Sequence, residues 1–259
     1  TESRLAIKGA RTAYDALTDD QKALVTQAQL KVLTDAEAKY AQLAEAGTNL
    51  ADGDYYLINV STGKYLNAGN SYQTQASIKS YGQLMTFAAN ESDNTSYTID
   101  THYLKDNKHY LGANGYLDAA ETPIKIEKCA SGNFSIANAD DKFLTAPTDG
   151  ESTVVTFAAE KSEASEWLIL TRDQLIKKLT KDIAEGNPAD VTSLILNPNF
   201  DRYNQYSDQW SGGIKIEGAA GNYCAEVYGK VFDSMQTLEN VPNGVYELSV
   251  QGFYRKEQD

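Results

Sequence analysis

Histidine and cysteine are scarce: His102, His109, Cys129 and Cys224 are the whole supply in 259 residues. Two distant cysteines do not make a disulfide framework, and with two histidines they do not make a zinc site. No G-x-S-x-G, Cys–His pair or H-E-x-x-H accompanies them, so the usual nucleophilic and metallohydrolase arrangements are excluded. A phosphate-cradling G-x-x-x-x-G-K-[ST] and a D-x-D-x-D-G calcium loop are also missing. The sequence therefore calls for no metal and no cofactor, and it assigns no catalytic residue. Positive charge is short as well. Lys and Arg number 23 against 36 Asp and Glu, and the net −13 repels nucleic acid and anionic lipid. No apolar run approaches the roughly 18 residues of a membrane helix. The first residues show neither a basic n-region nor an apolar h-region, so no signal peptide is read there. Thr1 is taken as a mature N-terminus or a boundary within a longer protein.

What the chain does have is tyrosine, 17 residues of it, and 41% hydrophobic residues, enough for packed cores. Its length suggests about two domains with an appendage. Residues 1–50 lack proline and have glycine only at Gly9 and Gly47. They read as two or three short antiparallel helices, the first over roughly residues 4–17. Capping boxes are expected at Thr18–Gln21 and Thr34–Glu37, with Leu24, Val25, Ala28, Val32, Ala36, Tyr40 and Leu43 at helical spacing. Asp19-Asp20, like Asp140-Asp141 further on, reads as capping and turn acids.

From Gly53 the period changes to strands and a threefold repeat begins. Each copy is an aromatic-x-Ile strand, a turn, and an aromatic-Leu-x-Ala strand: Tyr56 to Ala68, Tyr97 to Ala113, and Phe134 to Ala146. Leu66, Leu111 and Leu144 are equivalent. Each copy closes on one more strand, Leu84–Phe87, Ile124–Ile126 and Trp167–Leu170. Three such units, none able to bury its apolar edge alone, predict a β-trefoil over 51–170.

The stretches "GDYYLINVSTGKYLNAGN" (53–70), "HYLGANGYLDA" (109–119) and "SEWLILT" (165–171) resemble β-trefoils of secreted gut Bacteroidetes proteins. They are also distantly similar to the ricin-type lectin fold. That family's Gln-x-Trp at each repeat end is represented only by Trp167, so the resemblance implies the fold and not the ricin sugar site. "AYDAL" and "QKALV" at 13–25 resemble a helical spacer of bacterial surface proteins, which implies docking and no chemistry.

A further capping box, Thr171–Gln174, opens a connecting helix with Leu175, Ile176, Leu179 and Ile183, ended by Gly186 and Pro188. Residues 171–190 are read as connector and 191–259 as a third block. Strands are expected at Ser193–Leu196, Tyr223–Glu226, Asp233–Leu238 and Val245–Tyr254. "NPNFD" (197–201), Trp210, and "QTL" with "PNGVYELS" (236–249) resemble the first half of galactose-binding-like jelly rolls, the fold of many carbohydrate-binding modules. About 69 residues is short for some eight strands. The block is thus expected to be incomplete, its apolar faces met by further sequence, by the trefoil or by a second chain, with self-association through 191–259 as one outcome.

Sugar binding needs aromatic faces flanked by amides and acids. Two loops offer them: Asn67, Asn70 and Tyr72, and the denser Tyr203, Tyr206 and Trp210. Trp210 is read either as a stacking ring or as the core edge of a sandwich, and the two tyrosines either as stacking or as ordinary loop residues. The fold class is mainly β with a helical N-terminus: a β-trefoil and a partial β-sandwich (jelly roll), joined by a helix. The expected function is non-catalytic binding of a glycan or host glycoconjugate by a secreted or cell-surface protein. A structural spacer, or the accessory region of a longer glycoside hydrolase or peptidase, is the alternative.

Overall fold

The computed structural model describes residues 2–46, 50–70, 74–90, 93–150, 153–219 and 222–252. Gly47 and Tyr72 lie outside them, as do Phe253 and Tyr254 of the last expected strand. The side chains of Tyr40, Leu43 and Asn70 are likewise outside the described set.

Three helices open the chain: α1 (Glu2–Asp15), α2 (Asp19–Lys22) and α3 (Gln27–Ala46). Thr18 caps α2 as expected, its hydroxyl accepting from the Gln21 amide while the Gln21 side chain accepts from the Thr18 amide. The Thr34 box does not form. α3 runs straight through it, and the Thr34 hydroxyl donates back to the Lys31 carbonyl. The box that does form is about two turns earlier, where Thr26 and Gln29 exchange the same two hydrogen bonds (3.0 and 3.2 Å). Leu24 and Val32 are exposed instead of packed. α1 and α3 are joined by a two-pronged Arg11–Glu37 ion pair, both hydrogen bonds 2.7 Å.

Twelve strands follow. The first repeat holds β1 (Gly53–Asn59), β2 (Tyr65–Asn70), β3 (Gln75–Lys79) and β4 (Met85–Asn90). The second holds β5 (Asp93–Lys105), β6 (Lys108–Leu111), β7 (Leu117–Asp118) and β8 (Ile124–Lys128). The third holds β9 (Phe134–Ala137), β10 (Phe143–Thr145), β11 (Thr156–Ala158) and β12 (Glu166–Leu170). The outer strands of the repeats pair in the ring β1–β4–β5–β8–β9–β12, and β12 returns to β1 with Tyr56 opposite Leu170. The inner pairs β2/β3, β6/β7 and β10/β11 are hairpins. The first hairpin is laced to the other two: Ala76 N donates to Gly115 O, and Ile78 N to Thr153 O. A closed six-stranded barrel capped by three hairpins is a β-trefoil.

The core explains the repeat. Leu66, Leu111 and Leu144 are fully buried in one cluster with Met85, Phe87, Ile126, Ile136 and Trp167. Trp167 is a core strut whose indole donates to the Leu144 carbonyl at 2.8 Å.

α4 (Arg172–Ala184) starts at the expected Thr171–Gln174 box. Its buried face, Leu175 and Leu179, packs on Tyr56, Ile58 and Tyr65 of the trefoil and on Leu194. Ser193–Leu196 is not a strand. Thr192–Leu194 is a single 3₁₀ turn, held because the Tyr56 hydroxyl donates to Ser193 O (2.8 Å) and the Ser193 hydroxyl accepts from Gly82 N (2.6 Å). Beyond it, β13 (Lys215–Ala219) and β14 (Asn222–Glu226) form one hairpin, the expected 223–226 strand among them. Asp233–Leu238 and the described part of Val245–Tyr254 are not strands. Among the described residues no strand lies beside them, and Val245, Leu248 and Val250 stand in solvent.

Candidate functional site

The 195–206 segment lies along the first repeat and encloses a cleft with it. Three short-range polar side chains shape that segment. Asn197, in the left-handed region (φ 51°), accepts from the Asp201 amide (2.7 Å) and donates to the Asp201 carbonyl and the Ser207 hydroxyl. Asp201 accepts from Tyr203 N, and Asn204 from Tyr206 N. Such Asx turns substitute for the strand ladder that this stretch does not form. The segment is then tied to β5, with Leu104 N donating to Tyr203 O and Asn204 bridging Tyr103.

On the trefoil side the cleft is walled by Asn67, Ala68, Lys79, Tyr81, Gln83 and Tyr103. The opposite wall includes Asn199, Asp201, Asn204 and Tyr206. The Asn199 amide donates to the Tyr81 hydroxyl across the opening. Burial pushes the Asp201 carboxyl above the usual carboxylate range and the Lys79 ammonium below its ordinary value; each partly offsets the other's shift by its opposite charge. The Tyr81 phenol is pushed up to about 12, first by burial and then by Asp201. Tyr103 and Tyr206 are also raised, by burial foremost. The Tyr103 hydroxyl is buried with no hydrogen-bond partner. Asp201 lies near enough to influence its ionisation, but no well-aligned bond joins the two. The cavity volume open to water-sized occupants is ≈ 20 Å³, room for one such group.

Tyr206 borders a second polar patch. Its ring lies 4.9 Å from that of His102. Thr86 links His102 Nε2 (2.7 Å) to Asp54, and Asp100 accepts from His102 N and lies 3.1 Å from His109 Nδ1. The histidines are thus strand residues in a carboxylate setting. Among the described residues no three His, Cys, Asp or Glu side chains converge to hold a metal ion, and no helix is long and apolar enough to cross a membrane. Cys129 and Cys224 are free and half-buried.

Of the six residues singled out from sequence, Asn67 and Tyr206 meet in the cleft. Asn67 is buried, and its amide donates to Tyr81 O at 2.7 Å, so it shapes the wall. Tyr203 packs between Tyr103 and Tyr223 (5.9 and 6.0 Å) beneath the Lys105 ammonium. Trp210 stacks on Phe200 (4.7 Å) and donates to Leu196 O (3.0 Å), bracing the segment from behind. Asn70 ends β2, and Tyr72 lies outside the described residues. Lys79, Tyr81, Tyr103 and Asp201 escaped the sequence reading. Only Asp201 carried a signal there, as the last residue of the quoted "NPNFD".

No protein-family model and no curated protein matches the chain. Solved structures with partial likeness include the Rhizoctonia solani agglutinin (21% identity, TM-score 0.37, 48% of this chain and 98% of that one). SeviL bound to asialo-GM1 saccharide is another (16%, 0.37, 47% and 99%). Cry35Ab1 is a third (14%, 0.35), matched over 46% of this chain and only 35% of its own. The fold assignment rests on the strand pairing.

Proposed function

We propose that this is a non-catalytic, secreted or cell-surface binding protein that takes a glycan at the seam between the trefoil and the 195–206 segment. The observation that carries the reading is the company Tyr206 keeps. An aromatic ring borders a cleft whose walls are amides, phenols, one carboxylate and one ammonium, the groups that hold sugar hydroxyls beside a stacking face. Desolvated ionisable groups facing a cleft, here Lys79 and Asp201, make it a candidate functional site. The solved relatives include an agglutinin and a saccharide-bound protein, which agrees with the reading and does not carry it. A glycan array probed with the whole chain and with Tyr206→Ala tests it. Binding that falls at least tenfold in the variant supports the seam, and a wild-type protein silent on the array removes the proposal.

A second reading rests on a separate observation. Tyr228, Val231, Phe232, Leu248 and Val250 are exposed along a stretch without strand partners. Exposed apolar surface of this kind marks contact with other polypeptide. On this reading residues 191–259 begin a galactose-binding-like jelly roll completed by other polypeptide, and the protein is an interaction module. Light scattering over a concentration series detects the self-associating form.

A further inference from the structure

The floor of the cleft has chemistry that its walls do not use. Tyr103 is 1% exposed, faces the cavity, and has a hydroxyl without a partner. A buried polar group left unmade costs stability, so such groups are normally satisfied. Beside it stands Asp201, one of whose oxygens accepts from Tyr203 N, and Lys79 lines the same cleft, its ammonium 5.7 Å from the centre of the Tyr81 ring and near enough for its charge to act on Asp201. The charges of Lys79 and Asp201 oppose each other, so neither a bare anion nor a bare cation is favoured. A carboxylate asks for a donor, an ammonium for an acceptor, and a phenol for either. A single neutral hydroxyl meets all three demands, and the space admits one group of that size.

We infer that Tyr103, Asp201 and Lys79 form a subsite for one hydroxyl of a neutral polyhydroxy ligand, a sugar or polyol, with water as its stand-in. This deepens the glycan reading and rests on it for the identity of the ligand. The rest of the ligand lies against Tyr206 at the cleft wall.

Tyr103→Phe tests the subsite without threatening the fold, since it removes a hydroxyl that has no partner. The whole chain, labelled with ¹³C at tyrosine rings, is titrated with glycerol and with methyl glucosides and galactosides, the Tyr103 signal being the one lost in Tyr103→Phe. The expected result is a saturable shift of that signal and roughly tenfold weaker binding of the same probes by Tyr103→Phe and by Asp201→Asn. If glycosides bind and Tyr206→Ala weakens them while Tyr103 stays silent and Tyr103→Phe keeps its affinity, the subsite is overturned and the glycan reading survives. If glycerol shifts Tyr103 but no glycan binds on the array, the subsite survives and the glycan reading falls. A fixed water at Tyr103 that no probe displaces overturns the subsite.

Discussion

Gly69 shows how closely the seam is fitted at the level of one residue. It sits at φ 85°, and a Cβ there would come within 2.5 Å of the Tyr103 ring. Gly69→Ala therefore adds a left-handed backbone penalty to a steric one. It should cost about 1–3 kcal/mol in denaturant unfolding, and more than the same change at Gly150, which shares the left-handed backbone (φ 76°) but has open space where the Cβ would go. Asp201 gives a second residue-scale test. Its folded pKa is raised above 3.8, so the folded state holds that proton more tightly than the unfolded one. The stability it contributes is present below 3.8 and is lost as pH rises through the folded value. Asp201→Asn should thus gain on the wild type in melting temperature between pH 4 and pH 7, and a constant difference would contradict the burial argument. At this scale the sequence displays residues that act through their sequence neighbours and hides those that act across the fold. Tyr206 stands in a polar aromatic cluster that the sequence displays, whereas its place at the cleft is set by the fold. Tyr103 and Lys79 acquire their meaning only when β5 and β3 are brought against residue 201.

The elements were legible in proportion to how much they decide locally. Thr18 and Thr171 cap helices because hydroxyl, glutamine and amide lie within four residues of each other. Thr34 carries the same spacing, but Thr26 begins the helix first, and a helix once begun continues over a second potential start. Thr171→Ala should lower stability by about 0.5–2 kcal/mol, measured by urea unfolding, because α4 is docked on Tyr56 and Tyr65 and not free to fray. The strands divide by the same logic. Those of the trefoil were readable because three copies supply one another's partners. Val245–Gln251 has comparable β-branched and aromatic content, yet no facing sheet among the described residues, and alternation alone does not make a strand; Asp233–Leu238, with Thr237 as its one β-branched residue and no aromatic, lacks even that content.

Across the whole molecule, the equivalence of Leu66, Leu111 and Leu144 makes each a shared floor for three repeats. Leu111→Ala should cost about 2–5 kcal/mol in one cooperative transition that includes the signals of all three repeats. The 192–210 segment belongs energetically to the trefoil. It satisfies Tyr56 and Gly82, packs its Leu194 against Tyr56 and α4, and covers Tyr103 with Tyr203. A chain ending at residue 190 should melt on the order of 10 °C below one ending at 212, by calorimetry, if the loss is a few kcal/mol. Equal melting temperatures would show that the segment rides on the trefoil without supporting it.

The β1–β12 pairing that closes the barrel also decides how the protein carries mechanical load. The pair is antiparallel, with Tyr56 opposite Leu170 and Asn59 opposite Trp167, so chain enters β1 and leaves β12 at the same end. Tension drawn between the helical hairpin and the C-terminal block pulls on that end and separates the hydrogen bonds in succession instead of shearing them together. Drawn from the C-terminal side, the load meets the docked 192–210 segment first and then α4, packed over both strands, before it reaches β12. Pulled from its ends, the chain should yield at low force in sequence, the 192–210 segment with α4 and then the barrel, as read by single-molecule force spectroscopy. A fold built this way gives under traction and lengthens instead of resisting until it breaks.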